Sequence, residues 1–382
     1  MKKLIPFLGL ALLVACGEKS TSESTNSNKI NFTVEIDTVQ VDPGADHFIY
    51  LAKFLRSSSL SSDKKTLYNF NPAVPELEVI DLDELILKEV IKLENEGPTG
   101  VDAANSYIPM VHVSDSGELF LNNWSHMIKL NAAKDKKSRY WFSSDSLKGE
   151  SLSEVEKIYP EGFMSDDGKF YFSNYGKQDN SHKNGLAIVN LNSKELKKVP
   201  LDIFEKIEKF EIVFRPNEDS KTSVTETVFY LPFEDKILIS TTAYNEIYLV
   251  SISDGRVEKK SFHSELTDDA KQGNFQKTAG SQKELFDHAK EKVKEVNFLK
   301  FHYDDQNEKF WRFSTTLDRM IGDSATYDIV LTIFDKNLAQ LHEEKVDYSE
   351  KGSLTFFKDG ALYSYINLED ELGFVRIKPS YD

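Results

Sequence analysis

Val111-His-Val-Ser-Asp-Ser-Gly-Glu-Leu-Phe-Leu121, followed by Met127-Ile-Lys-Leu-Asn131, reads as strand, tight turn, strand, loop, strand. The phrase returns in altered form as Phe163-Met-Ser-Asp-Asp-Gly-Lys-Phe-Tyr-Phe172 with Gly185-Leu-Ala-Ile-Val-Asn-Leu191. It returns again as Thr355-Phe-Phe-Lys-Asp-Gly-Ala-Leu-Tyr363 with Gly373-Phe-Val-Arg-Ile377. A phrase repeated in this way marks stacked supersecondary units. Asp-Gly and Ser-Gly pairs recur in the turns because Gly takes positive φ without steric cost and Asp caps the turn backbone. They are turn residues and not calcium loops, since the spaced carboxylates and distal Glu of a calcium loop do not follow.

Working outward, six such units can be laid along the chain. The first holds Phe48 to Phe54, Thr66 to Phe70, Glu78 to Leu82 and Leu87 to Leu93; the second runs from about Tyr107 to Phe142 and the third from about Tyr159 to Leu201. The fourth begins at Phe229 and the fifth at Phe298. The sixth, from Ser353 to Lys378, has only three clear strands. At the other end Asn31-Phe-Thr-Val-Glu-Ile-Asp-Thr-Val-Gln-Val41 alternates apolar and polar residues, which means a strand, yet it has no hairpin partner downstream. The expected fold is therefore all-β: a six-bladed β-propeller closed by the N-terminal strand, spanning residues 30–382. A β-helix or a sandwich explains neither the leftover strand nor the deficit.

Two segments break the pattern. Apolar residues at 203, 204, 207 and 210 predict a short helix. Ser281-Gln-Lys-Glu284 has the form of a capping box, with Leu285, Phe286, Ala289 and Val293 at helical spacing beyond it, which predicts a helix over roughly 282–294. That helix lies in an insertion of about 264–296 between the fourth and fifth units.

The N-terminus is an address. Lys2 and Lys3 precede an apolar run, Leu4 to Val14, that is too short to span a bilayer, so 1–15 reads as a signal peptide. Leu13-Val-Ala-Cys16 resembles the bacterial lipobox, in which the Cys carries the lipid. Cys16 is the chain's single cysteine, so no internal disulfide forms and stability must come from core burial. Residues 16–29 lack large apolar side chains and form a lipidated tether. The net charge of −16 becomes about −18 once Lys2 and Lys3 leave with the signal peptide. Such a body repels nucleic acid and anionic head groups, so membrane contact is expected through the lipid on Cys16 only.

The lipobox, the tether, the degenerate repeats and Phe301-His-Tyr-Asp-Asp-Gln-Asn-Glu-Lys-Phe-Trp-Arg-Phe313 together resemble the uncharacterised β-propeller lipoproteins of the Bacteroidetes, of the TolB-like six-bladed type. The resemblance implies the six-bladed fold and carries no catalytic residue. The chain has no zinc-protease, nucleophile-elbow, phosphate-loop or Cys-cluster motif. Candidate binding residues are His112, Tyr230 and His302, just before the first turns of their units, and the group Asp304, Trp311 and Arg312, where an Arg can fork onto a carboxylate and an aromatic can stack on a ligand. Trp124 and Trp141 occupy strand positions and read as packing. The expected function is a lipid-anchored, monomeric envelope protein, at the outer membrane, that binds a protein, peptide or glycan partner with no cofactor. The alternative is a hydrolase of a lactone or glycan-derived ester using a channel Ca2+. Replacing Cys16 by Ser should move the protein from detergent-extracted membranes to the soluble fraction; a Cys16→Ser protein that still fractionates with membranes would refute the anchor.

Overall fold

The computed structural model describes residues 30–51, 55–103, 107–218, 220–350 and 354–381. Residues 1–29, with the expected signal peptide, Cys16 and the expected tether, lie outside the described residues. The chain is all-β apart from helices α1 (Ile203–Glu208) and α2 (Gln282–Lys292). No helix among the described residues is long and apolar enough to cross a membrane.

Five antiparallel sheets follow in chain order, each containing a meander of four strands. The first has Ser58–Leu60, Thr66–Asn71, Glu76–Asp81 and Ile86–Lys92; the second Met110–Val113, Leu119–Asn122, Met127–Leu130 and Lys137–Tyr140. The third has Glu156–Met164, Phe170–Lys177, Lys183–Asn190 and Glu195–Pro200, with Lys148–Gly149 added in parallel at its edge. The fourth runs from Val228 to Ser261 and the fifth from Asn297 to Val346. The sixth sheet takes three strands from the C-terminus, Thr355–Lys358, Ala361–Leu368 and Glu371–Tyr381, and its fourth from the N-terminus, Phe32–Gln40. Nine residue pairs join Phe32–Gln40 to Gly373–Tyr381, so the orphan strand and the deficit answer each other.

Strand alternation decides what fills the seams. In the fifth sheet Phe301, Phe310 and Phe334 face the fourth, packing with Leu238 and Ile247, whereas Trp311 and Ile333 face the sixth, packing with Phe357 and Ile377. One apolar cluster lies in each successive seam, and the sixth sheet shares one with the first, where Phe374 and Tyr365 meet Leu67 and Ile80. Burying these rings and branched chains supplies roughly 25 cal/mol per Å² of apolar surface.

Two readings need correction. Phe48–Leu51 is not a strand, residues 52–54 lie outside the described residues, and Phe48 is 84% exposed. The segment is pinned by side chains instead: the Tyr50 N–H donates to Glu78 at 2.9 Å and Asn69 Nδ2 donates to the Tyr50 carbonyl at 2.7 Å. The second concerns the insertion. Thr278–Ala279 pairs in parallel with Val213–Phe214, so the insertion joins a small sheet with Ile212–Asn217 and Ser220–Val224. Half of the expected capping box forms: the Ser281 hydroxyl accepts from the Glu284 N–H, whereas the Glu284 carboxylate accepts from the Gly280 N–H, one residue before the cap. The expected apolar stripe of α2 does not. Leu285 is buried, but Phe286 and Val293 are exposed and the buried face continues with Lys292, which pairs with buried Glu226 at 2.8 Å.

Deleting residues 30–41 should strip a sheet edge of its ladder and lower the melting temperature by many degrees. A truncated protein melting within about a degree of the parent would contradict the strand's role.

Candidate functional site

The candidate residues of the sequence fall into the seams between sheets. His112 lies on the strand face that packs against the third sheet and is 8% exposed; its Nε2 has no hydrogen-bond partner. Burial holds its pKa down at about 4, against the pull of the Asp166 carbonyl and the Asp115 charge. Tyr230 donates its buried hydroxyl to Asn174 Oδ1 across the seam between the third and fourth sheets, and burial raises its pKa. His302 is fully buried with its Nε2 2.6 Å from Glu350 in the connection to the sixth sheet.

Asp304, Trp311 and Arg312 do not form one group, because neighbours on a strand point to opposite faces. Asp304 caps its own turn, accepting from Asn307 Nδ2 at 2.7 Å. Trp311 donates Nε1 to Tyr381 Oη at 2.7 Å inside the apolar seam between the fifth and sixth sheets. Arg312 is buried on the other face among phenylalanines, with its guanidinium carbon 4.7 Å from the ring centroids of both Phe298 and Phe301. Its Nη2 donates to Asn245 Oδ1, and Asn245 in turn donates to Asp269 at 3.1 Å. Its Nε and Nη1 have no hydrogen-bond partner. The rings therefore offset a charge that no carboxylate touches.

The first turns of the units, read from sequence as punctuation, do more than reverse the chain. They bond to one another: Ser62 Oγ donates to Asp115 at 2.6 Å, the Asp115 N–H donates to the Asp166 carbonyl at 2.9 Å, and Lys64 reaches Asp305 at 3.2 Å. Gly168 is required in its turn, since it has φ +69° and an added Cβ would sit 2.9 Å from the Phe120 ring. Next to it, between the third and fourth sheets, lies a pocket of about 680 Å³. Phe170, Phe172, Ile188 and Ile237 form its floor, while its rim carries Asp115, Asp166, Asp167, Glu195, Glu234 and Asp235 against one lysine of the lining, Lys197; just outside it, Lys169 pairs with Asp167 at 2.8 Å and Lys336 with Glu234 at 3.0 Å. The Lys197 ammonium donates to the Ser253 carbonyl. The Asp166 carboxyl is pushed up by burial and by the charges of Asp115 and Asp167. Among the described residues no three His, Cys, Asp or Glu side chains are placed to hold a metal ion. The pocket thus joins an apolar floor to a mainly acidic rim.

Serial four-stranded sheets with an apolar cluster in each seam define an all-β protein. The chain belongs to the family described as a domain of unknown function, DUF4221, which matches residues 29–345. A crystal structure of a member of that family from Bacteroides vulgatus matches with a TM-score of 0.63 at 13% identity, covering 93% of this chain and 100% of that one. At that identity the likeness is one of fold. A Bacteroides fragilis protein described as exported matches with a TM-score of 0.48 at 10% identity, covering 91% and 95%. The β-propeller domain of a Myceliophteria thermophila protein matches with a TM-score of 0.43 at 8% identity, covering 86% and 83%. No curated protein matches by sequence.

The His112 geometry fixes a pH dependence. Its folded pKa is depressed from 6.5 to about 4, so the unfolded chain takes up the proton first as pH falls. Stability present above pH 6.5 is lost through that window, by about 3 kcal/mol once pH is below 4. Comparing urea midpoints at neutral and acid pH, His112→Leu should lose less stability than the parent. An identical acid dependence in both proteins would remove His112 from the account.

Proposed function

We propose that this protein is an exported, lipid-anchored binding protein whose six sheets form a closed six-bladed propeller, fastened by the N-terminal strand. It uses the pocket between the third and fourth sheets to hold a basic, partly apolar peptide segment of an envelope partner. The single observation that carries the binding reading is the pairing of an apolar floor with a rim of six carboxylates and one lysine. Carboxylates gathered at a concave, solvent-exposed rim attract cations and raise the rate of their encounter. An aliphatic or aromatic side chain on the floor then supplies residence time. Support for the ring comes from the shared cluster between the first and sixth sheets together with the pairing of the two chain ends. Support for export and the anchor comes from the leader and from Cys16 at the end of the lipobox-like run.

Fluorescence polarisation with a labelled peptide alternating Lys with Leu, and with a control in which each Lys is Glu, tests the proposal. The parent should bind the basic peptide with an affinity that falls with salt. Asp166→Asn and Glu234→Gln should each weaken it about three- to tenfold, and Phe170→Ala should weaken it without changing the salt slope. Equal binding of the acidic control, or full affinity in the charge-neutralised variants, would overturn the reading.

A further inference from the structure

Two of the three tryptophans stand at the surface: Trp124 is 65% and Trp141 is 49% exposed. Leaving so large an apolar ring in water forgoes about 25 cal/mol for each Å² not buried. Each indole is nevertheless held from behind by another ring. Tyr107 stacks on Trp124 with centroids 4.9 Å apart and 29° between planes, and His126 lies against Trp141 at 4.8 Å. Trp124 and His126 share one turn, fixed by Asn123 Oδ1 accepting from the Ser125 and His126 N–H groups at 2.9 Å. Burial and the nearby Arg139 lower the His126 pKa, which favours a neutral ring.

Beside Trp141 opens a cleft of about 370 Å³ between the outer strands of the second and third sheets. Phe142, Leu147 and Leu191 give it an apolar lining, and its rim holds Arg139, Lys148 and Lys194 against one carboxylate, Asp145. Arg139 is engaged by Asp102 at 2.8 Å. Lys148 and Lys194 are exposed, and neither is in an ion pair among the described residues. The Lys148 N–H donates to the Lys194 carbonyl at 2.8 Å, which holds the two residues together. In a chain of net charge −16, uncompensated positive charge beside an open indole runs against the trend of the whole surface.

We propose that this cleft is a second binding site, separate from the pocket between the third and fourth sheets, and that it takes a uronate-bearing oligosaccharide. One sugar ring stacks on Trp141 while its carboxylate meets Lys148 and Lys194. Trp124 offers a second stacking surface for a neighbouring ring. A sugar presents an apolar face of C–H groups that suits an indole, and a uronate carries its carboxylate directly on the ring, within reach of cations at the edge of the stack. The acidic body repels every polyanion at long range, so the choice of a uronate rests on the open indole standing beside the two lysines.

The test is affinity electrophoresis of the folded protein through gels containing polygalacturonate, neutral dextran or heparin, with phosphatidylglycerol vesicle flotation alongside. Polygalacturonate should retard the parent and dextran should not. Trp141→Ala and Lys148→Ala/Lys194→Ala should each weaken retardation about fivefold, while Asp166→Asn should leave it unchanged. Because both lysines are exposed, the double variant tests the site even if Trp141→Ala fails to fold. No retardation by polygalacturonate, retardation unaffected by either variant, stronger retention by heparin that ignores Trp141, or vesicle binding lost in Trp141→Ala would each overturn the proposal.

Discussion

Nine pairs of backbone partners between Phe32–Gln40 and Gly373–Tyr381 hold the two ends of the chain in one sheet, and without them the sixth sheet lacks its fourth strand. The N-terminal strand contributes little apolar anchorage, since none of its residues is fully buried. Its hold comes from the ladder, from Phe32 against the Trp311 ring, and from the Asp37 carboxylate clasped by Arg376. The strand it pairs with is different in kind, with Leu372, Phe374 and Ile377 inside the core. A polar edge strand laid on a buried one blunts the edge of the sixth sheet without offering a template to other chains.

The third sheet links the two proposed sites. Its strand Lys183–Asn190 turns Ile188 toward the acidic pocket and Val189 toward the cleft beside Trp141, because successive side chains point to opposite faces. Its last long strand turns both Glu195 and Lys197 to the acidic pocket, and the turn before it places Lys194 on the cleft. One sheet thereby separates a mainly acidic lining from a mainly basic one.

Much of this was legible in residue order. Period-two runs and Asp-Gly turns located most of the strands, and the mismatch between Asn31–Val41 and the short sixth unit pointed to their pairing. The opposite orientation of Trp311 and Arg312 also follows from adjacency on a strand. The small sheet was not legible, because it joins Val213–Phe214 to Thr278–Ala279 across some sixty residues with only two pairs. The acidic pocket was hidden for another reason. Each unit has polar or acidic turn residues, and which seam opens depends on how neighbouring sheets pack. Trp124 and Trp141 lie at or beyond strand ends, where alternation no longer says which side is covered. That is why both looked like packing residues.

Joining the first strand to the last also has a consequence for biosynthesis. Ribosomes add on the order of 5–20 residues per second, so Phe32–Gln40 waits tens of seconds for its partner to be made. Throughout that interval the early strand is unpaired main chain, open to any other extended segment nearby. The acidic residues Glu35 and Asp37 on the early strand act as gatekeepers during the wait, and the last strand to be made is the one that pairs with it.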